Sequence, residues 1–347
     1  MTNKNLTILA AAALVLGGAA YFCNSGRKIK TSNINGKPVL KAFDVSEVQK
    51  VEISGSRKTT LIASEKGWVI DSLYGYPADI SKIRENLLKL KDLTVGQSAR
   101  GRKIENGTVV ELKDANGKVL ASATLGDMHM SKPRGQAVQY GGGSYPDGRY
   151  VKYGDSVVLV KDTLDPFDGD PKKWCEGRIC SIPSSDVKGV AYTKGGETVR
   201  LERKDSAWSL EGLGEKEELD SSKTYSLDSA LSYLDFSSVA DPSKPEAEFG
   251  FATGSVYTVS LKNGQSYTAK IGSSSGSDRY FRVSAAFSPV GTNATENATL
   301  EKAVADFNSN AGKWTYLISS YSADSMSKTR KDLVKAKEEP KKEAKKQ

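Results

Sequence analysis

The chain has 347 residues, of which 38% are hydrophobic and 27% are charged, with 3 cysteines, 1 histidine and a net charge of +8. This composition excludes wholesale disorder and predicts folded cores of about 100 to 150 residues each. It also leaves almost nothing for a zinc site built on Cys and His or for a catalytic relay built on His.

The positive charge is concentrated at the two ends of the chain. Residues 1–41 hold six basic residues and no acidic one, residues 327–347 hold nine basic and four acidic ones, and residues 42–326 carry a net charge of −3. A fold that binds nucleic acid would concentrate Lys and Arg on its own surface. The charge distribution therefore argues against nucleic acid as a partner.

An apolar segment lies near the N-terminus. Residues 6–22 read LTILAAAALVLGGAAYF and stand between Lys4 and a basic stretch that begins at Arg27. A helix of that length spans about 25 Å, slightly less than a bilayer core of about 30 Å. Two interpretations of residues 1–26 stay open: a signal peptide cleaved after Ala20, or a retained membrane anchor. The first predicts a secreted protein, and the second predicts an inner-membrane protein whose bulk faces the periplasm.

A pattern in the first half of the chain recurs in the second half. Val51 precedes Trp68 by 17 residues, and Val190 precedes Trp208 by 18 residues. An amphipathic segment of helical period follows each tryptophan, PADISKIRENLLKLKDL in one copy and YSLDSALSYLDF in the other. The apolar faces consist of Ile80, Ile83, Leu87 and Leu90, and of Leu227, Ala230, Leu231 and Leu234.

Each copy continues with a predicted β-hairpin and a further strand. Residues 109–126 and 256–272 alternate polar and apolar residues on both sides of Asn-Gly, which is typical of tight hairpin turns. The strand segments RYVKY, from Arg149, and RYFRV, from Arg279, follow. A longer insertion, residues 127–147, delays this strand in the first copy.

The repeats predict an α+β fold class with two tandem units after the N-terminal segment, residues 43–178 and 182–320. Each unit is expected to be a mainly antiparallel sheet with one covering helix. Residues 321–347 are expected to begin as a helix and to end as a disordered Lys-rich tail.

Tryptophan positions support the same division of the chain. Each copy closes with a Phe seven residues before a Trp, and we predict that all four tryptophans take equivalent positions in the two copies. We interpret them as core anchors rather than as an aromatic platform for a ligand, because each lies in an apolar, strand-like context. The four anchors are Trp68, Trp174, Trp208 and Trp314.

Cys175 and Cys180 lie within the predicted folded part. An oxidising compartment favours a disulfide between them. An extended chain would separate them by roughly 17 Å, so a bridge requires the chain to turn at Gly177. Two free, buried thiols are the alternative, and the sequence does not decide between the two.

Motifs for nucleotide-binding loops, serine hydrolases and zinc proteases are not found in the sequence. One acidic loop has the residue type that hard cations prefer, but its spacing does not match a calcium loop, and we therefore interpret its carboxylates as turn caps. The loop contains Asp162, Asp165, Asp168 and Asp170. We therefore predict no catalytic residue, no cofactor and no metal site.

The repeats, the segments KGWVI and YPADISKIRENLLKLKDL, the C-terminal segment WTYLISSYSADSMSKTRKDLV and the N-terminal apolar segment resemble a bacterial family known only as a domain of unknown function. The resemblance covers nearly the whole chain. It implies a membrane segment followed by one or two α+β repeats in the periplasm, and an association with ABC-type transport or gliding-like export components. It supplies no catalytic residues.

Two functions follow as hypotheses. The preferred one is a non-enzymatic, membrane-anchored envelope protein that acts as a protein-interaction scaffold or accessory of an ABC-type transport or export assembly. Its partner would be another envelope protein. The alternative is an envelope carbohydrate-binding or glycan-processing protein. Three tyrosines in or beside the insertion form the expected interaction loop: Tyr140, Tyr145 and Tyr150.

Overall fold

The computed structural model describes residues 34–132, 143–204, 207–224 and 226–337. The predicted membrane segment, residues 6–22, lies outside these ranges, and so does the end of the Lys-rich tail. Within the described ranges, no helix is both long enough and apolar enough to cross a membrane.

Antiparallel sheets dominate and helices are few, which agrees with an α+β fold class. The strands are β1 (Lys50–Ser54), β2 (Lys58–Ser64), β3 (Gly67–Ile70), β4 (Tyr76–Pro77), β5 (Gln97–Ser98), β6 (Thr108–Lys113), β7 (Val119–Ser131), β8 (Tyr145–Tyr153), β9 (Ser156–Val160), β10 (Arg178–Cys180), β11 (Val187–Lys194), β12 (Glu197–Lys204), β13 (Ala207–Leu210), β14 (Glu217–Leu219), β15 (Leu234–Asp235), β16 (Ser238–Val239), β17 (Ser255–Leu261), β18 (Gln265–Ser275), β19 (Asp278–Phe287), β20 (Tyr316–Ser319) and β21 (Val334–Ala336). In the described residues, the α-helices are α1 (Ile80–Lys91), α2 (Ala294–Asn310), α3 (Ser320–Ser325) and α4 (Arg330–Leu333).

Two large sheets have the same strand order. One sheet reads β4-β3-β2-β1-β6-β7-β8-β9-β5, and the other reads β13-β12-β11-β17-β18-β19-β20-β16. The first sheet has one additional edge strand, β4. The remaining strands of the two sheets correspond one to one, from β3 and β13 at one edge to β5 and β16 at the other. Two small sheets, β10-β15 and β14-β21, accompany them.

The pairing register also recurs. In each sheet, three buried residues lie side by side on three neighbouring strands. They are Val51, Leu61 and Ile70 on β1, β2 and β3, and Val190, Leu201 and Leu210 on β11, β12 and β13. β6 and β17 alternate buried and more accessible residues, because successive side chains of a strand point to opposite faces. The internal sheet repeat is therefore present in strand order and in register.

The predicted hairpin turns form where the Asn-Gly pairs stand. Gly117 and Gly264 have φ angles of +80° and +89°, a region that glycine enters without the steric penalty of a Cβ atom. β6 and β7 flank the first turn, and β17 and β18 flank the second. The prediction of both hairpins is confirmed.

The first covering helix forms as α1. Ile83, Leu87 and Leu90 are buried on one face, as the helical period predicts. Ile80 was assigned to the same face, but its side chain is 56% exposed because it stands at the first residue of the helix.

The second predicted covering helix does not form. Residues 226–233 form a series of turns, in which the N–H groups of Leu227, Ser229 and Ser232 each donate to the carbonyl three residues earlier. Leu227 and Leu231 are nonetheless buried, so the apolar face packs although the α-helical hydrogen bonds are missing. Serine and aspartate side chains compete for the backbone groups of a helix, and this segment is rich in both.

Helix α2 was not predicted. Asn293 caps its N-terminus by accepting hydrogen bonds from the backbone N–H groups of Thr295 and Glu296. The helix attaches to β19 through Asn308, whose side-chain amide both donates to and accepts from the backbone of Ala285 at 2.8 Å.

The C-terminal segment was expected to be one helix. It instead contains the short helices α3 and α4, followed by β21, which pairs with β14. Thr329 and Asp332 form a capping box at the start of α4.

By its internal contacts, the chain divides into two compact units. The first takes the described part of residues 1–42 together with Lys89–Gly107 and Ala123–Thr163. Its core includes Leu125, Val151 and Val158, all with no measurable exposure.

The second unit takes Phe43–Leu88, Thr108–Ser122 and the described part of Leu164–Gln347. An aromatic cluster stabilises it. The Tyr76 ring lies 5.1 Å from the rings of Phe236 and Trp314, and the Phe236 ring lies 5.4 Å from that of Tyr316. Side chains from the two predicted copies therefore share one core in this unit.

Candidate functional site

Two hairpins, β7–β8 and β18–β19, have the same register over their shared length. Arg149 lies opposite Met128 in the first hairpin, and Arg279 lies opposite Ser274 in the second. An irregularity in the pairing precedes each of these positions. Bulges of this kind bend a strand, so the two hairpins bend at equivalent places.

The hairpins differ in how far they extend. β18–β19 ends at the pair Ser275 and Asp278, which a two-residue turn joins. Beyond the equivalent pair, His129 and Gly148, strands β7 and β8 stay paired for two more residue pairs. We call residues 130–147 the arm. It is an addition to a hairpin that closes without it in the second sheet.

Apolar side chains of the arm are open to solvent. Met130 is 47% exposed and Tyr145 is 59% exposed. Met130 lies opposite Pro146, and Tyr145 lies opposite Ser131 on the neighbouring pair. Because neighbouring pairs point to opposite faces of a hairpin, Met130 and Tyr145 are exposed on opposite faces of the described part of the arm.

A hydrogen bond closes the base of the arm. His129 Nδ1 lies 2.5 Å from Asp147 Oδ1, which joins β7 to β8. The hydrogen bond from His129 lowers the pKa of Asp147, and a hydrogen bond from Ser131 contributes in the same direction. The Asp147 carboxylate is therefore held in its ionised form and fixes the start of the arm.

Tyr150 supports this base from within β8. The Arg102 guanidinium lies 3.8 Å from the centroid of the Tyr150 ring, a cation–π contact. The His129 ring meets the same tyrosine edge-on at 5.9 Å. One guanidinium, one imidazole and one phenol ring thus pack together below the arm.

The predicted interaction loop is placed only in part. Tyr145 lies on the exposed arm, and Tyr150 lies at its half-buried base. Tyr140 belongs to residues 133–142, outside the described residues. The sequence did not identify Asp147 and Arg102 as neighbours of His129 and Tyr150, since only the fold brings them together. The unequal length of the two hairpins was the one available signal.

Trp68 and Trp208 occupy equivalent places in the two sheets. Trp68 pairs with Ala63 between β2 and β3, and Trp208 pairs with Arg203 between β12 and β13. Both are half-buried rather than in the core. The Trp208 ring instead packs against the Arg203 guanidinium, which lies 4.7 Å from the centroid of this ring.

The other two tryptophans differ from the prediction. Trp174 follows β9 in a short 3₁₀-helix, whereas Trp314 precedes β20, so their positions are not equivalent. Only Trp174 among the four is fully buried, and its ring meets Phe167 edge-on at 5.1 Å. Trp314 is half-buried. The two tryptophans take different positions because α2 lies between β19 and β20, whereas β9 follows β8 directly after a short turn.

Cys175 and Cys180 are both free and buried. Burial raises the pKa of the Cys175 thiol to about 11 and that of Cys180 to about 12. The sequence left open a disulfide or two free thiols, and in the structure both thiols are free. Such thiols are poor nucleophiles near neutral pH because they stay protonated.

Three carboxylates of the acidic loop pair with cations of the chain itself. Lys173 Nζ lies 2.7 Å from Asp165 and 2.9 Å from Asp168, and Arg57 lies 3.3 Å from Asp170. Asp170 also caps the following 3₁₀-helix. The loop is thus engaged in turn capping and ion pairs. No group of three or more His, Cys, Asp or Glu side chains in the described chain is arranged to hold a metal ion.

Comparison with known families and proteins gives one match. Residues 68–251 match the model of a family described as "Domain of unknown function (DUF4340)", which covers a little over half of the chain. No curated protein and no solved structure matches the chain.

Proposed function

Since the chain belongs to the DUF4340 family of domains of unknown function, we propose a function from its own geometry: a non-enzymatic, membrane-anchored envelope protein that binds a partner protein through the arm. In this role it is an interaction scaffold or accessory of an ABC-type transport or export assembly. The single observation that carries the proposal is the arm, which extends one hairpin beyond the length at which its counterpart closes.

The chain consists of the same α+β unit twice, over residues 43–178 and 182–320. The matching strand orders and the matching register of the two sheets support this duplication. Duplication also provides an internal reference for the arm. The β18–β19 hairpin closes with two residues between Ser275 and Asp278, so a unit of this kind folds without an arm. Residues 130–147 are therefore available for a role other than folding.

The side chains of the arm favour a protein partner. Met130 and Tyr145 are exposed on opposite faces, and Met and Tyr are both enriched where proteins bind one another. A sugar platform would need open aromatic faces, but one face of Tyr150 is covered by Arg102 at 3.8 Å. Carbohydrate binding is thus the second candidate, and it becomes an outcome of the test below.

Envelope location is supported by the N-terminal sequence. Residues 6–22 are uncharged, and basic residues stand on both sides. Protease treatment of intact cells and of cells with a permeabilised outer membrane tests this part. Digestion only after permeabilisation is expected for a chain anchored in the inner membrane with its bulk in the periplasm. Protection in both samples would contradict it.

Photo-crosslinking in living cells tests the partner. A photoreactive phenylalanine analogue is placed at Tyr145, and in a matched control at Tyr321, which is 88% exposed and far from the arm in sequence. We expect a discrete crosslink to one envelope protein from position 145 and none from position 321. No crosslink at either position, or the same products at both, would refute the proposal. A crosslink to glycan alone would favour the second candidate.

A further inference from the structure

A cavity of about 640 Å³ lies within the second unit, away from the arm residues in sequence. It is lined by the end of β11, the start of β17, part of β19 and the segment from α3 to β21. Its volume falls in the range of small-molecule sites. Five cationic side chains line it: Lys194, Lys223, Arg279, Lys328 and Lys331.

Three of the four cavity lysines lie close enough to a cavity aspartate to lower its pKa, but not close enough to form an ion pair with it. In residues 34–132, 143–204, 207–224 and 226–337, none of the four forms an ion pair within 4.0 Å. Three aspartates also line the cavity, but two of them are engaged by their own turns. Asp220 accepts hydrogen bonds from the backbone and hydroxyl of Ser222, and Asp332 accepts the corresponding pair from Thr329.

Lys328 is a partly desolvated cation of the cavity. Its side chain is half-buried, and burial lowers its pKa. The Asp332 charge opposes this shift, and the weaker repulsion from Lys223 adds to it. An anion in the cavity would relieve both the desolvation of Lys328 and its repulsion by Lys223.

Arg279 faces this cavity with donors to spare. Its Nε and Nη2 groups both donate to the carbonyl of Gly272, at 2.9 and 2.6 Å. Its counterpart Arg149 is only 6% exposed and also donates from Nη1 to the carbonyl of Thr163. In the described chain, no hydrogen bond is formed by Nη1 of Arg279, so the second sheet leaves a guanidinium edge open where the first sheet buries it.

Two hydroxyl groups in the cavity wall are hydrogen-bonded to each other. Ser255 is 4% exposed, and its Oγ lies 2.6 Å from Oγ of Ser327. Ser327 in turn donates to the carbonyl of Ala323 at 2.9 Å. This chain of hydrogen bonds fixes both hydroxyls, so the wall is polar and already ordered before any ligand enters.

We propose that this cavity is a binding site for a phosphate group, carried by a small molecule or by a lipid headgroup. Lysine ammonium groups bind phosphate as point charges, and an open arginine edge adds directional donors. Five cations against three carboxylates leave the cavity lining with a net charge of +2, which favours an anion. The site is independent of the arm and of the function proposed for it.

Titration calorimetry on the full-length chain in detergent tests the site. The probes are inorganic phosphate, glycerol 3-phosphate and dihexanoyl-phosphatidylglycerol below its micelle concentration. We expect saturable binding of at least one probe. Tighter binding of the short-chain lipid assigns the site to a headgroup, and tighter binding of the other two assigns it to a soluble phosphate compound. No saturable binding of any of the three would overturn the proposal.

Matched variants connect the binding to the cavity. Lys328→Gln and Lys223→Gln should each weaken binding roughly tenfold or more, since each removes a charged contact to the anion. Lys302→Gln, on an exposed position of α2, removes the same charge elsewhere and should leave binding unchanged. Unchanged melting temperatures are expected for all three variants. Equal binding by Lys328→Gln, Lys223→Gln and the unmodified chain would also overturn the proposal.

Discussion

Arg149 in β8 and Arg279 in β19 make the same hydrogen bond, each donating from Nε at 2.9 Å to the carbonyl of a glycine, Gly126 in the first hairpin and Gly272 in the second. The two glycines end the alternating segments that follow the Asn-Gly turns. An arginine that ties one strand of a hairpin to the other is thus a common feature of both sheets.

Replacement of Arg149 by Met should destabilise the protein by about 1 to 3 kcal/mol, because the half-buried carbonyl groups of Gly126 and Thr163 lose a charged donor that is only 6% exposed. Urea unfolding monitored by circular dichroism measures the change. Arg279→Met should have a smaller effect, since Arg279 is less buried than Arg149 and donates to one carbonyl group rather than to two. A larger loss in Arg279→Met than in Arg149→Met would contradict this assignment.

Trp174 should be the most important tryptophan for stability. Trp174→Ala removes a fully buried ring and should reduce the free energy of unfolding by about 3 to 5 kcal/mol. Trp68→Ala, at a half-buried position, should have less than half that effect. Thermal and urea unfolding of the two variants provide the comparison. Equal losses would place Trp68 in the core after all.

The two buried thiols predict a clear reactivity pattern. With Cys23 replaced by Ser, the native protein at pH 8 should not react with an aromatic disulfide reagent, because burial raises the pKa of Cys175 to about 11 and that of Cys180 to about 12. In urea without reductant, both thiols should react. Failure of both to react in urea, followed by reaction after reduction, would show a disulfide between them.

Glu52 gives the second unit a pH-dependent contribution to stability. Hydrogen bonds from Lys113 and then Lys50 lower its pKa from 4.5 to about 2. A carboxylate with a lowered pKa in the folded state stabilises the fold above pH 4.5, and this contribution is lost as the pH falls from 4.5 to about 2. At this partly exposed position the contribution is roughly 1 kcal/mol or less.

Glu52→Gln should therefore be less stable than the unmodified chain at pH 7, and the two should converge as the pH approaches 2. Urea unfolding at several pH values between 7 and 3 measures the difference. A difference that stays constant over that range would exclude Glu52 as its source.

Local patterns were sufficient for the first strands of each copy and for the two hairpins. An Asn-Gly pair between alternating segments specifies a turn and a register, and both hairpins formed accordingly. Helices were harder to predict. The Leu227 and Leu231 positions fit a helical period, but the intervening serines and aspartate favour turns. Helix α2 buries only Val304 among its residues, so it has almost no apolar period, and its cap at Asn293 was the only visible signal.

The residues of the candidate site were only partly visible in the sequence. Tyr145 could be selected because it belongs to an insertion that the second copy lacks. His129 and Asp147 are 18 residues apart, and they meet only because the long hairpin pairs β7 with β8. No local spacing encodes that contact, nor the contact of Arg102 with Tyr150, which depends on the packing of separate segments.

The most direct measurement replaces the arm with the turn of its counterpart. Residues 130–147 are exchanged for Gly-Ser, the two residues that separate Ser275 from Asp278 in the second hairpin. We then compare the amount of the photo-crosslinked partner that co-purifies with the full-length chain and with the variant. The melting temperature should be nearly unchanged and the partner should be lost. Retention of the partner by a folded, arm-less variant would contradict the proposed role of the arm.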